Sequence, residues 1–322
     1  MGYLEKRLKN IDFFKGFLII LVIIGHIPRG PLNQDETIWR SIIYSFHMPL
    51  FIGISGFLFN SKNVEKIDFK ELFQKFQLRV VIPWMLAVII YFLFHEIYIN
   101  DNFSIFPGII KSFIIPYYHL WFVPAFLSWV FLTWGMKKVG IKDKHILLLG
   151  FLISMIFQFV KESPSIYQNN YVINFIVSLV LHVFRPYFFV FFVWGYFYRN
   201  LKLKRPVFLE YLITIIFFII LFYFNYERNI IFYIFNLLLL NLTLKISSNN
   251  MVNSINIIEL FGKNSLGFYL WHVIPILIVQ HFVGTNDGVI YYIVTIFLEL
   301  LFFRLYFILF DCKFFRKYFF GI

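Results

Sequence analysis

The sequence predicts an all-α protein: a polytopic membrane helical bundle of about ten transmembrane helices, with both termini cytoplasmic. Three observations carry that reading. The chain of 322 residues is 60% apolar and only 14% charged, against about half and about a quarter in soluble domains. The apolar residues fall in blocks of about 18 to 22, the length that crosses a ~30 Å hydrocarbon layer as a helix. The cations sit in short runs between those blocks, so the net charge of +12 reads as a topology signal and not as a nucleic-acid stripe.

The first helix is placed at 11–28. Its basic start is that of a signal peptide, but no small-residue cleavage site follows, and Lys15 and His26 lie inside the apolar stretch. It is therefore read as a retained helix. Further helices are expected at 42–60, 80–98, 119–136, 145–160, 172–197, 207–225, 230–244, 264–283 and 288–310. The eighth is short. The sixth is long and is interrupted at Arg185-Pro186, where proline removes a backbone donor. Asn63 to Gln77 mixes charged and apolar residues and reads as an amphipathic helix on the membrane surface. The longest outer loop, Glu96 to Tyr118, contains Pro107 and Pro116. It either dips back into the membrane or covers a cavity, and its backbone then needs protein or water partners.

With the N-terminus inside, the inner segments hold Lys6, Arg7 and Lys9, the cations from Lys62 to Arg79, from Lys137 to Lys144 and from Arg199 to Arg205, then Lys245, Lys263, Lys313, Arg316 and Lys317. The outer segments hold Arg29, Arg40, Lys111, Lys161 and Arg228. That is a roughly fourfold inner excess, and an even number of helices returns the C-terminus to the inner side. No repeat or long polar segment interrupts the pattern, so 1–322 is read as a single integral-membrane domain with no appended soluble domain. Cys312 is the one cysteine, which excludes an internal disulfide framework.

Titratable groups inside a bilayer are costly and usually face a cavity or a partner. Helix one carries Asp12, Lys15 and His26. The eleven-residue interval puts Lys15 and His26 about 20° from a common line and ~16 Å apart along the axis. A cation near the inner surface and an imidazole deeper in suit a long, anionic-headed ligand entering from the cytoplasm. The same spacing suits a lysine that snorkels to the inner headgroups and a histidine at the outer interface. His47 opens helix two and reads as interfacial on its own. His119 and Trp121 open helix four, and either line an outer mouth or belong to an aromatic belt. Arg185 needs an anion or carbonyls. Glu299 is one internal partner for it; without that pairing Arg185 is free to hold a phosphate or carboxylate of a ligand. In helix nine, Ser265, Tyr269 and His272 stand at i, i+4 and i+7 and share a face, as substrate-lining or as packing residues. There is no phosphate loop, dinucleotide fingerprint or Cys/His zinc spacing, so no metal is expected.

Five segments in order resemble the acyltransferase family 3 of bacterial multi-pass membrane enzymes, especially its sugar O-acetylase branch. They are Asp12-Phe-Phe-Lys15 with Gly25-His26, Phe46 to Phe57, His119 to Pro124, Phe191 to Tyr196 and Gly262 to His272. The family pattern of a basic residue, ten residues and a histidine falls on Lys15 and His26. Relatives more often have arginine first; lysine keeps the charge and loses the planar fork. The resemblance implies a multi-pass enzyme of the bacterial cell membrane. It implies transfer of an acetyl group from acetyl-CoA, or of another short acyl group from acyl-CoA, to a hydroxyl of a surface or lipid-linked carbohydrate, in contact with membrane lipid and without nucleic acid.

On that reading His26 is the general base, since an imidazole with a pKa of ~6.5 suits proton transfer near neutrality. Lys15 and Arg185 bind the anionic part of coenzyme A. His47, His119, Trp121, Ser265, Tyr269 and His272 line the acceptor side. Two other classes share the pattern. A transporter or exporter of a sugar or polysaccharide would line its path with the same residues and use broken helices. A structural or sensory subunit would pair its intramembrane polar groups internally.

Overall fold

A computed structural model describes residues 3–27, 38–59, 66–98, 105–199, 201, 203–223, 230–249, 255–284 and 288–321. Among these residues there is no strand, and the fold is helical throughout. The helices are α1 (Tyr3–His26), α2 (Ile38–Tyr44), α3 (His47–Leu58), α4 (Phe69–Phe76), α5 (Ile82–Tyr98), α6 (Ile105–Ile114), α7 (Phe122–Lys138), α8 (Asp143–Glu162) and α9 (Tyr171–Leu179). They continue with α10 (Phe189–Tyr198), α11 (Phe208–Tyr223), α12 (Ile230–Ser248), α13 (Asn256–Lys263), α14 (Ser265–Trp271), α15 (Val273–Phe282), α16 (Gly288–Phe310) and α17 (Lys313–Tyr318).

Seven stretches among the described residues are long and apolar enough to cross a membrane: Ile38–Leu58, Phe69–Glu96, Tyr118–Lys138, Asp143–Glu162, Ile230–Ser248, Ser265–Phe282 and Gly288–Phe310. The pair Tyr171–Phe184 and Pro186–Tyr198, bent by 41°, makes an eighth if it is one span. Phe208–Tyr223 is apolar but shorter, and α1 carries Lys9, Asp12 and Lys15 within its length. Each of the ten expected positions therefore holds a helix, while seven or eight have the length and composition of a span. The amphipathic stretch expected at the membrane surface holds helix α4, which is continuous with the span Phe69–Glu96, and part of its range, 63–65, lies outside the described residues. Asp68 caps it by accepting from the Glu71 amide at 2.7 Å. Its Leu72 is buried while Phe69 and Phe73 are exposed. A π-turn at Gln77–Val81 joins it to α5. The expected loop after Glu96 contains a helix, α6.

The chain packs as two compact units. The first comprises 1–18, 44–67 and 124–263. In it α3 and α10 lie backbone to backbone: a Cβ on Gly195 would overlap the Gly53 carbonyl oxygen, and one on Gly56 the Phe192 carbonyl oxygen. Small residues serve membrane helices in this way, because close backbone approach substitutes for a hydrophobic driving force that lipid cannot supply. The inner part of α1 meets α13 likewise, Gly16 against Ile258 and Gly262 against Asp12. Arg199 donates to the Phe57 and Leu58 carbonyls at 2.9 and 2.7 Å, which satisfies the C-terminal end of α3.

The expected interruption of the sixth helix is real. Arg185 sits there in the left-handed region, φ 44°, ψ 56°, and the following proline disfavours continuation of the right-handed helix through its position. Ser154 of α8 repairs the break. Its hydroxyl donates to the Pro186 carbonyl at 3.2 Å and accepts from the Val190 amide at 2.8 Å.

The second unit comprises 19–43, 68–123 and 264–322. Tyr91 of α5 donates to the Leu270 carbonyl at 3.1 Å, and the Trp84 indole donates to the Leu120 carbonyl at 3.0 Å. Phe268, Tyr306 and Phe320 form a ring stack with centroids 4.4 and 4.0 Å apart, and the Trp271 indole donates to the Phe319 carbonyl at 3.0 Å. These contacts fix α14, which with α15 forms the single stretch Ser265–Phe282 of the ninth expected helix, with a turn at His272 between the two.

Gly195→Ala is expected to lower the thermal midpoint in detergent, with an overpacking cost of about 1–3 kcal/mol or more. Gly135→Ala, where nothing lies within 4 Å of the added Cβ, is expected to hold or raise it, since alanine is the better helix former. Equal midpoints for the two variants would show that the α3–α10 contact is looser than described.

Candidate functional site

The residues marked by the sequence fall in both units. Lys15, His47 and Arg185 belong to the first; His26, His119, Trp121, Ser265, Tyr269 and His272 belong to the second. In the first, Lys15 pairs with Asp12 at 3.3 Å, as its i, i+3 spacing anticipates. His47 is 2% exposed and packs its ring on Tyr44 at 4.8 Å, so the expectation of an interfacial histidine gives way to a buried one. Arg185 turns its Nε onto the His182 carbonyl at 3.2 Å.

The second unit gathers three histidines from three separate sequence segments. The His26 ring centroid lies 5.1 Å from that of His272 and 5.9 Å from that of His119, and His119 and His272 are 4.7 Å apart. His26 is the last residue of α1, His119 belongs to the short 3-10 turn Tyr118–Trp121, and His272 occupies the turn between α14 and α15. Tyr269 packs against His119 at 4.9 Å and Tyr91 does so at 5.6 Å. The Tyr269 hydroxyl donates to the His119 carbonyl. Trp121 and Ser265 are buried in the same unit.

Backbone carbonyls set the tautomers. A carbonyl only accepts, so the ring nitrogen facing it carries the proton. Nδ1 of His26 faces the Val22 carbonyl at 2.6 Å, which leaves Nε2 as the basic nitrogen. Nδ1 of His272 faces the carbonyls of Phe268 and Tyr269 at 2.9 and 3.0 Å, and its Nε2 is buried with no partner among the described residues. His119 has the opposite tautomer: Nε2 faces the Leu270 carbonyl at 3.4 Å, and Nδ1 is buried and unpartnered. Each imidazole is thus anchored through one nitrogen, which leaves the other as the basic one. Such a cluster receives protons or hydroxyl donors. Arg40, buried on α2, acts electrostatically on His26. Among the described residues no group of three or more His, Cys, Asp or Glu has the arrangement of a metal site.

A family profile described as an acyltransferase domain matches residues 8–310, nearly the whole chain. The chain belongs to the acyltransferase 3 family. The matched profile is that family's acyltransferase domain, and seven stretches among the described residues are long and apolar enough to cross a membrane. Two curated relatives, each called nodulation protein NolL, come from Sinorhizobium fredii and Mesorhizobium japonicum. They are 48% and 50% identical to this chain over 54 residues, a segment covering 15% of this chain and 15% and 14% of theirs. No solved structure matches it.

Sequence spacing singled out each histidine but not their meeting, and it missed Tyr91 and Arg40. Tyr91 lies in an unbroken apolar run and bears no local signal. Arg40 looked like an outer-loop cation, yet it lies buried in the helical stretch Ile38–Leu58. Tyr269→Phe removes one of the two donors to the His119 carbonyl, which keeps the Phe122 amide, at a cost of about 0.5–1.5 kcal/mol. A lowered thermal midpoint is the expected result. An unchanged midpoint would mean that the hydroxyl does not hold the His119 turn.

Proposed function

We propose that the protein transfers an acetyl or other short acyl group from cytoplasmic acyl-CoA to a hydroxyl of a surface or lipid-linked carbohydrate, at the bacterial plasma membrane, with His26 as general base. The observation that supports this most is the tautomer of His26 within the histidine cluster. With Nδ1 bonded to Val22, Nε2 holds a lone pair for a hydroxyl proton.

The acceptor oxygen attacks the thioester carbon as its proton passes to Nε2 of His26. The carbon–sulfur bond then breaks, and the same proton moves to the departing thiolate, which restores neutral His26. The positive charge of Arg40 beside His26 favours the oxyanion formed on the way. Lys15, about 16 Å along α1 from His26 by helix rise, and Arg185 hold the anionic part of coenzyme A. His47, His119, Trp121, Ser265, Tyr269 and His272 serve the acceptor side, where aromatic faces stack on sugar rings and lone pairs take hydroxyl protons. The cation distribution supports a cytoplasmic placement of the donor end of α1.

The purified protein is expected to bind acetyl-CoA and hydrolyse it slowly. His26→Ala should retain binding and lose about 10²–10⁴-fold in hydrolysis. Lys15→Ala should weaken binding by about tenfold, which is about 1.4 kcal/mol. A folded His26→Ala variant that still turns over acetyl-CoA would remove His26 from the mechanism. Folded wild type that binds no acetyl-CoA would point to a different acyl donor.

A further inference from the structure

α16 has inverted polarity. Its exposed side is apolar, with Ile293, Ile296, Phe297 and Leu300 more than half exposed. Its buried residues are Tyr291, Thr295, Glu299 and Tyr306, which all carry polar groups. The first three are one turn apart and line a single edge of the helix. Thr295 donates to the Tyr291 carbonyl at 2.6 Å, and the Gln280 side chain donates to the Tyr291 hydroxyl at 3.3 Å.

Glu299 is the exception to this order. It is 3% exposed, and neither carboxyl oxygen has a hydrogen-bond partner among the described residues. A buried carboxyl without a partner costs several kcal/mol, as an anion for want of donors or as an acid for want of an acceptor. In a membrane helix such a residue is a site hypothesis by default.

Two contacts fix its height. The Gln280 bond to Tyr291 ties the far end of α15 to the start of α16. Phe268, before the turn, packs on Phe303, Tyr306 and Phe307. The two strands of contact therefore run antiparallel. His272 lies eight residues before Gln280, and Glu299 lies eight residues after Tyr291, about 12 Å along each helix. Glu299 is thus level with His272. Tyr91 connects the two regions: its phenol feels the Glu299 carboxyl electrostatically, while its ring packs on His119 and its hydroxyl bonds the Leu270 carbonyl.

We propose that Glu299, with Thr295, Tyr291 and Gln280 toward the outer end of α16, forms a hydroxyl-binding subsite for the carbohydrate acceptor. The subsite rests on the acyltransferase reading above. A sugar hydroxyl both donates and accepts, so it satisfies the carboxyl in either protonation state. Amide, phenol, hydroxyl and carboxyl groups in a row match the alternating donors and acceptors of a polyol. The row begins near the outer side and ends at the level of the histidines, which directs one hydroxyl toward them.

The test uses full-length protein in detergent and dicyclohexylcarbodiimide, an apolar reagent for buried carboxyl groups. The probes are octyl glycosides of gluco, galacto, manno and rhamno configuration, with octanol as the control. Modification at Glu299, read by peptide mass, is expected to slow several-fold with at least one glycoside and not with octanol. Glu299→Gln is expected to raise the KM for that glycoside about tenfold while the KM for acetyl-CoA moves less than about twofold. Glu299 that is not modified, modification indifferent to every glycoside, or a Glu299→Gln variant in which both KM values move together would overturn the subsite. Protection by a glycoside without any acyl transfer by the wild type would retain the subsite and defeat the acyltransferase assignment. The labelling readout stands even where Glu299→Gln fails to fold.

Discussion

A polar group inside an apolar layer must find a partner within the protein, and much of this structure answers that constraint. The backbone meets it by being helical wherever it lies in the apolar layer. Where a helix breaks, a side chain closes the gap: Ser154 at the Arg185-Pro186 break and Arg199 at the end of α3. The same rule fixes the histidines. Each anchors one ring nitrogen on a backbone carbonyl, and the anchored proton decides which nitrogen remains basic. Chemistry at the site is thus a consequence of backbone accounting.

A second constraint follows from lipid being as apolar as leucine. Helices gain little from hiding aliphatic side chains from it, so contact depends on close packing and on internal polar bonds. The glycines at 16, 53, 56, 195 and 262 let backbones touch. The outer faces of α8, α11 and α16 are accordingly apolar, while polar residues such as Ser154, Thr214 and Glu299 are buried. A soluble bundle reverses that arrangement.

Much of this was legible in the sequence, and the physics explains which part. Span length and loop charge are local properties, so helices such as 145–160 and 288–310 read directly. The Lys15–His26 interval is a property of one helix, and the i, i+3 pairing of Asp12 with Lys15 follows from it. The Arg185-Pro186 break was visible because proline acts on its immediate neighbours, although the left-handed backbone at Arg185 was not. The convergence of His26, His119 and His272 was not legible from spacing, since they lie about 90 and 150 residues apart and only tertiary packing brings them together. The five family-like segments did contain all three by resemblance. The helix α6 in the expected loop was hidden by Pro107, and His47 looked interfacial because its burial depends on Tyr44 and the surrounding helices.

Position 15 is lysine, where the family pattern the chain resembles more often has arginine. A guanidinium binds a phosphate through two parallel donors and holds that geometry; an ammonium binds as a point charge. Here the ammonium already meets Asp12 at 3.3 Å with both side chains about one-fifth exposed, and a half-open pair of this kind is worth little, about 0–1 kcal/mol. A phosphate can displace Asp12 with little loss, after which the carboxylate repels the same ligand as it leaves. On the proposed reading, in which Lys15 holds the anionic part of the donor, the pair would set a ceiling on affinity at that end of α1. An enzyme that binds a cytoplasmic donor, passes on its acyl group and must release free coenzyme benefits from such a ceiling, because binding that is equally strong before and after transfer does not speed turnover.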